Sequence, residues 1–310
     1  MIRIHFVGGE KGGVGKSVLA RVLAQYHIDR NIPFTAFDGD LSHGALIRYY
    51  GEYAKAVDIS KFDSADQIAE ATAELGCDVI VDLAAQSSRN IDRWMEESGL
   101  VELAEEIGLV VTLWHVMDDG SDSVRLLEKT LSTYGSGLEY ILVRNHGRGS
   151  DFTLFDKSET KTKAESFGAQ TIDLPQLHAG SMLKIDRVGA SLWSAANNKD
   201  KSLGPTLGLL ERQRVKVWLN KAYEELDSVL ETSVIDEDLS DEFKPEAIAP
   251  EVKVADAKEI AEAVSVEIVT KDVAVESENE TQPAEMSTPV KSLSRKDVLG
   301  YAAGFFTSKK

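Results

Sequence analysis

The sequence is poor in the features that would place it outside the cell or inside a membrane. It has a single cysteine, Cys77, so no disulfide framework can form within the chain, and no cysteine-ligated cluster or zinc site can be built from one subunit. A thiol just before an apolar run reads as small core filler, with a redox role as the minor alternative. No stretch approaches the roughly 18 to 20 continuous apolar residues of a spanning helix. The first residues, Met1-Ile2-Arg3-Ile4-His5-Phe6-Val7, run straight into glycines, which does not suit a signal peptide. The expectation is a cytoplasmic protein. The six histidines, His5, His27, His43, His115, His146 and His178, lack metal-ligand spacing and read as surface or satisfied core residues. His43 alone lies in a loop of interest.

Positive charge is also scarce, and unevenly so. The net charge is −18, and residues 231–290 hold 17 acidic against 4 basic residues. An acidic body argues against a broad phosphate-binding face, although a local basic patch is compatible with it. From Thr232 to Thr288 aromatics are absent beyond Phe243 and Glu, Ala, Val, Ser and Pro dominate. Such a stretch buries too little surface to offset its ordering entropy and is expected to be a disordered acidic linker. Residues 291–310 reverse the charge, with 5 basic residues against 1 acidic. There Val298, Leu299, Ala302, Phe305 and Phe306 can share one face of a short helix. Ser292–Lys310 therefore reads as a docking motif for an unidentified protein partner, with DNA and a membrane surface as other candidates. Three segments result: a body at 1–230, the linker at 231–290 and the terminal motif at 291–310.

Within the body, short β-branched runs alternate with amphipathic segments. Strands are predicted at Ile2–Val7, Pro33–Asp38, Asp78–Leu83, Leu109–Val116, Glu139–Asn145 and Ala169–Leu174. Helices are predicted at Lys16–Arg30, Ser64–Leu75, Val101–Ile107 and Ser121–Tyr134. Strands apolar nearly throughout, such as Val79-Ile80-Val81, suit a sheet covered on both faces. The alternation implies an α/β fold with a doubly wound, mostly parallel sheet flanked by helices. A closing helix is expected within Thr206–Leu230, with Leu207, Leu210, Val215, Leu219, Ala222, Tyr223, Leu226 and Leu230 toward the sheet. Its Arg212, Arg214 and Lys216 read as a solvated face.

The chemistry concentrates in Glu10-Lys11-Gly12-Gly13-Val14-Gly15-Lys16-Ser17. Gly12, Gly13 and Gly15 let successive backbone N–H groups turn toward phosphate oxygens, which a Cβ would obstruct. Lys16 adds a point charge at the β/γ-phosphates, and the Ser17 hydroxyl suits Mg²⁺. A strand precedes the loop and a helix follows, so the helix N-terminus faces the anion. Gly12 to Val18 is thus the expected phosphate cradle of an ATP site.

Lys-Gly-Gly-Val-Gly-Lys-Ser resembles the deviant Walker A motif of the ParA/MinD family of P-loop ATPases. The resemblance covers about residues 1–200 and is specific in the first 45. It implies that Lys11 reaches across an ATP-bound homodimer to the partner's phosphates. It implies that Asp40 orients the attacking water and that Asp38 and Asp82 sit near Mg²⁺, with Asp82 ending a Walker B-like strand. A turn-and-cap role is the alternative for Asp38 and Asp40. Leu41 replaces the family's frequent proline. Asp78 reads as a solvent-facing strand start. Gln86 either senses phosphate or caps the next helix. Asn145 either contacts the adenine or forms a turn, and Pro175 lies in a segment similar to the loop that covers the base. The resemblance implies a slow, partner-stimulated ATPase for partition, conjugative mobilisation or positioning. A metabolic ATP-dependent ligase and a nucleotide-gated scaffold are the alternatives.

Overall fold

A computed structural model describes residues 2–200 and 206–230. The acidic linker and the terminal motif expected beyond residue 230 lie outside the described residues.

Seven strands form one sheet in the order β3-β2-β4-β1-β5-β6-β7, with every pairing parallel. They are β1 (Arg3–Gly8), β2 (Phe34–Asp38), β3 (Ala54–Ala56), β4 (Asp78–Asp82), β5 (Val110–Met117), β6 (Glu139–Asn145) and β7 (Gln170–Leu174). Alternation along a strand sends neighbouring side chains to opposite faces. Val79 and Val81 enter one core with Phe6, Trp94, Leu127 and Leu142, while Ile80 enters the other with Leu19, Leu23, Trp114 and Leu219. Two buried cores, one on each face, explain why these strands lack polar alternation.

The core that receives Ile80 is covered by α1 (Lys16–Asp29), α2 (Ala45–Tyr50), α9 (Ala179–Val188), α10 (Leu192–Asn197) and α11 (Leu209–Asp227). The core that receives Val79 and Val81 is covered by α3 (Phe62–Leu75), α4 (Ser88–Glu97), α5 (Leu100–Ile107), α6 (Ser121–Tyr134), α7 (Thr153–Asp156) and α8 (Glu159–Ser166). All six strands expected from the sequence are present, with ends shifted by a residue. The short edge strand β3 and the helices α2, α7, α8, α9 and α10 were not among the segments expected, most of them being too short for a clear period, and α4 was expected only as an unbounded helix after Gln86.

The closing helix begins at Leu209, where Glu211 accepts from the Gly208 N–H at 2.9 Å. Val215, Leu219, Ala222 and Leu226 are buried as expected, but Leu210 is 67 % exposed. At 100° per residue Leu210 lies about 140° around the helix from Val215, so it cannot share that face. Arg214 and Lys216 are exposed, and Arg212 is half-buried through a bond to the Leu207 carbonyl.

Candidate functional site

β1 ends at Gly8, and the chain passes through a tight loop into α1 with no side-chain cap. Gly15 occupies the N-cap position at φ 105°, and Gly13 lies at φ 79°, both in the region that favours glycine. A Cβ on Gly15 would lie 2.1 Å from Nδ2 of Asn145. Gly12, by contrast, has room for a side chain within the chain itself. Its expected requirement for glycine therefore has no intramolecular cause.

Lys16 is 7 % exposed and donates from Nζ to the Lys11 carbonyl at 3.2 Å, spanning the loop. Burial lowers its pKa, against the pull of Asp82, Asp40 and Glu10. Asp82, at the end of β4, is 1 % exposed, and neither carboxylate oxygen has a hydrogen-bond partner. Burial pushes it up to about 7, against the pull of the neighbouring Ser17 hydroxyl. A buried carboxylate with both oxygens unpartnered is costly unless a cation or proton satisfies it. Its position beside Ser17 and Lys16 fits a hard divalent cation with oxygen ligands.

The other expected carboxylates are engaged within the chain. Asp38 accepts from the Asp40 N–H through Oδ1 at 3.0 Å. Through Oδ2 it accepts from Leu46 and Ile47 N–H groups at 2.7 and 3.1 Å, holding the first turn of α2. Asp40 accepts through Oδ1 from the Ser42 and His43 N–H groups at 3.1 and 3.0 Å, and the His43 ring lies 3.3 Å away. Burial raises the Asp40 pKa, but these bonds outweigh it and the net shift is downward. Both carboxylates thus have turn-and-cap geometry. Gln86 does not cap α4, although its backbone takes φ 62°. Glu10 does so instead, accepting from the Ser88 N–H at 3.1 Å. Glu10, the first residue of the loop motif, thereby ties the phosphate loop to the segment after Asp82.

Lys11 points away from the loop and meets Asp118 at 2.6 Å. The carboxylate holds the Lys11 ammonium above its usual value. Asn145 is 4 % exposed, donates to the Val14 carbonyl at 2.7 Å and accepts from Gly147 N–H at 2.9 Å. It braces the loop and forms a turn. With Val18, Leu174, Pro175, Met182 and Trp218 it lines a cleft of about 250 Å³, and the Trp218 indole donates to the Pro175 carbonyl at 2.6 Å. Val18, Asn145 and Pro175 are therefore brought together at one cleft beside the phosphate loop.

Asp78 does not occupy the position expected of it. It is not a solvent-facing strand start: its Oδ2 lies 3.2 Å from His27 Nε2 and 3.7 Å from His5 Nε2, and its Oδ1 accepts from Arg3 N–H. Both histidines are buried, and the three residues form a metal-like triangle that linear spacing concealed. The Trp114 indole donates to His5 Nδ1 at 3.1 Å, so the neutral ring carries its proton on Nε2. That nitrogen is not available to a metal, and the group is a core ion-pair cluster.

The strand order, the loop and the placement of Asp82 define a P-loop α/β fold. No family model matches the chain. Protein MobD of Acidithiobacillus ferrooxidans is 25 % identical over 236 residues, covering 73 % of this chain and 97 % of that protein. A Protein TraL of Escherichia coli is 23 % identical over 243 residues, covering 74 % and 98 %. Among solved structures, the MinD cell division protein of Aquifex aeolicus is similar with a TM-score of 0.43 at 11 % identity. That likeness spans 73 % of this chain and 98 % of that one, and is too distant to carry function. No described helix is long and apolar enough to cross a membrane.

Proposed function

We propose that this chain is a cytoplasmic, Mg²⁺-dependent ATPase that hydrolyses ATP slowly and uses its nucleotide state to drive assembly. The observation that carries the reading is the buried, unpartnered Asp82 carboxylate beside Ser17 and Lys16 at the mouth of a glycine loop. Ser17 and Asp82 would hold Mg²⁺, with Asp38 close by, and the ion would supply positive charge against the phosphates. The amides of Gly12 to Gly15 and the Lys16 ammonium offset charge on the transferring phosphoryl group. Asp40 orients the attacking water, and Val18 and Pro175 flank the base, with Asn145 supporting the loop beneath it. Lys11 acts in trans within an ATP-bound homodimer, so hydrolysis releases the dimer. The similarity to MobD and TraL supports a role in mobilisation or positioning.

The test is ATP-dependent dimerisation by light scattering on wild-type, Lys11→Ala and Asp40→Ala protein, each with ATP and ADP. Asp40→Ala is expected to accumulate a dimer in ATP while Lys11→Ala stays monomeric. If all three remain monomeric in both nucleotides, the dimer mechanism is wrong. If none binds either nucleotide, the ATPase reading fails as well.

A further inference from the structure

A cluster joining α1, α2 and α9 lies between the base cleft and the loop that carries Asp38 and Asp40. Arg21 on α1 is 4 % exposed and donates from Nη1 to Asp186 Oδ1 at 2.9 Å. Its guanidinium lies 4.4 Å from the centroid of the Tyr49 ring, a cation–π distance. Tyr49 on α2 donates to the same Asp186 oxygen at 3.2 Å, and Arg48 donates to the Asp186 carbonyl at 3.2 Å. Two consecutive residues of α2 and one of α1 therefore converge on a single residue of α9.

Asp186 has a second exposure. With Met182 and Leu183, one helical turn earlier on α9, it lines the cleft that also contains Val18 and Pro175. The opposite end of α2 is held by Asp38, through the Leu46 and Ile47 N–H groups. The helix is only six residues long, so it acts as a strut between a cleft residue and a carboxylate of the phosphate end. Arg21 is the fixed point, because α1 is packed into the core along most of its length. Its Nε is buried with no hydrogen-bond partner. This spare buried donor leaves the cluster a hydrogen bond that the present arrangement does not use.

We infer that the Arg21–Asp186–Tyr49 cluster reports occupancy of the base cleft to the loop bearing Asp38 and Asp40. Arg21 and Tyr49 are then positioning residues: they touch no nucleotide, and act through Asp186 and α2. The inference rests on the nucleotide-binding reading above. The two ends of a nucleotide deliver separate signals, the phosphates directly through the loop and the base through α9.

The discriminating ligands are ADP and pyrophosphate, each with Mg²⁺, since pyrophosphate fills the loop but leaves the cleft empty. Amide hydrogen exchange at Leu46 and Ile47 reads α2 directly, and calorimetry on the same samples reads binding. In the wild type, ADP is expected to slow exchange at both amides about fivefold or more relative to pyrophosphate, the lower end of ordinary coupling. In Tyr49→Phe, which keeps the ring over Arg21 but loses the bond to Asp186, ADP still binds and the difference disappears. Asp186→Asn gives the same loss by a second route, and unchanged exchange in β4 shows that the variants are folded. Equal slowing by ADP and pyrophosphate in the wild type, or a wild-type response in both variants, overturns the inference while leaving nucleotide binding intact. Absence of ADP binding by calorimetry overturns the nucleotide reading itself, and this inference with it.

Discussion

Lys11 and Asp118, 107 residues apart in sequence, are held at 2.6 Å by an ion pair within the chain. Asp118 is itself anchored, accepting from the Ser123 hydroxyl at 2.7 Å and the Gly120 N–H at 3.1 Å. The lysine proposed to act across a dimer is therefore held in place by its own chain, and engagement of a partner has to break that contact. Asp118→Asn is expected to favour the ATP dimer. A half-exposed pair of this kind is worth about 1 kcal/mol, and a symmetric dimer breaks two of them, so the dimerisation midpoint should move about thirtyfold lower in protein concentration. Light scattering across a dilution series with ATP measures it, and an unchanged midpoint would show that the pair does not restrain assembly.

Asp82 predicts an unusual dependence of stability on pH in the absence of nucleotide and Mg²⁺. Burial raises its folded pKa to about 7, above the unfolded value near 3.9. Between those values the folded state holds a proton that the unfolded state lacks, so this residue's contribution falls as pH rises from about 4 to about 7. Asp82→Asn removes that dependence and should be more stable than wild type at pH 8, by on the order of a few kcal/mol. The gap should close toward pH 4. Urea unfolding at four pH values checks this, and the same variant should lose the stabilisation that Mg²⁺ with ADP gives the wild type.

Gly15→Ala tests the loop's dependence on Asn145. The new methyl group would meet Nδ2 at 2.1 Å, and φ 105° is strained for any residue with a Cβ. The expected cost is about 2 kcal/mol or more in folding stability, with loss of ADP binding. Adding Asn145→Ala relieves the clash but not the backbone strain, so denaturation should show only partial recovery.

Asp78→Asn tests the buried cluster. Burial raises the Asp78 pKa, but the bonds with His27 and the Arg3 N–H and the nearby His5 ring outweigh it and hold the carboxyl below its usual range. The stabilisation is thus present above about pH 4, the unfolded value, and is lost as pH falls below it. At pH 7 the variant should be less stable by about 3 kcal/mol, because breaking one partner leaves buried histidine donors uncompensated. The difference from wild type should shrink on acidification. An undiminished gap at pH 3 would mean that the carboxylate charge is not what stabilises the cluster.

Local sequence was enough wherever a property depends on neighbours in the chain. The glycine loop between an apolar strand and a helix, with Lys16 and Ser17 following Gly15, is legible because loop geometry is set by consecutive dihedral angles. Val79-Ile80-Val81 announces a strand covered on both sides, and Asp82 at its end lies near the loop because β1 and β4 are paired in register, Val7 beside Asp82. Only the tertiary structure decided which groups meet across long separations. It joined Lys11 to Asp118, gave Asp78 to two histidines, turned Asn145 under the loop and made Glu10 the cap of α4. It also set Asp186 between the cleft and α2. Those contacts depend on strand order and crossover packing, which place residues more than a hundred positions apart side by side, and no local period or motif carries that information.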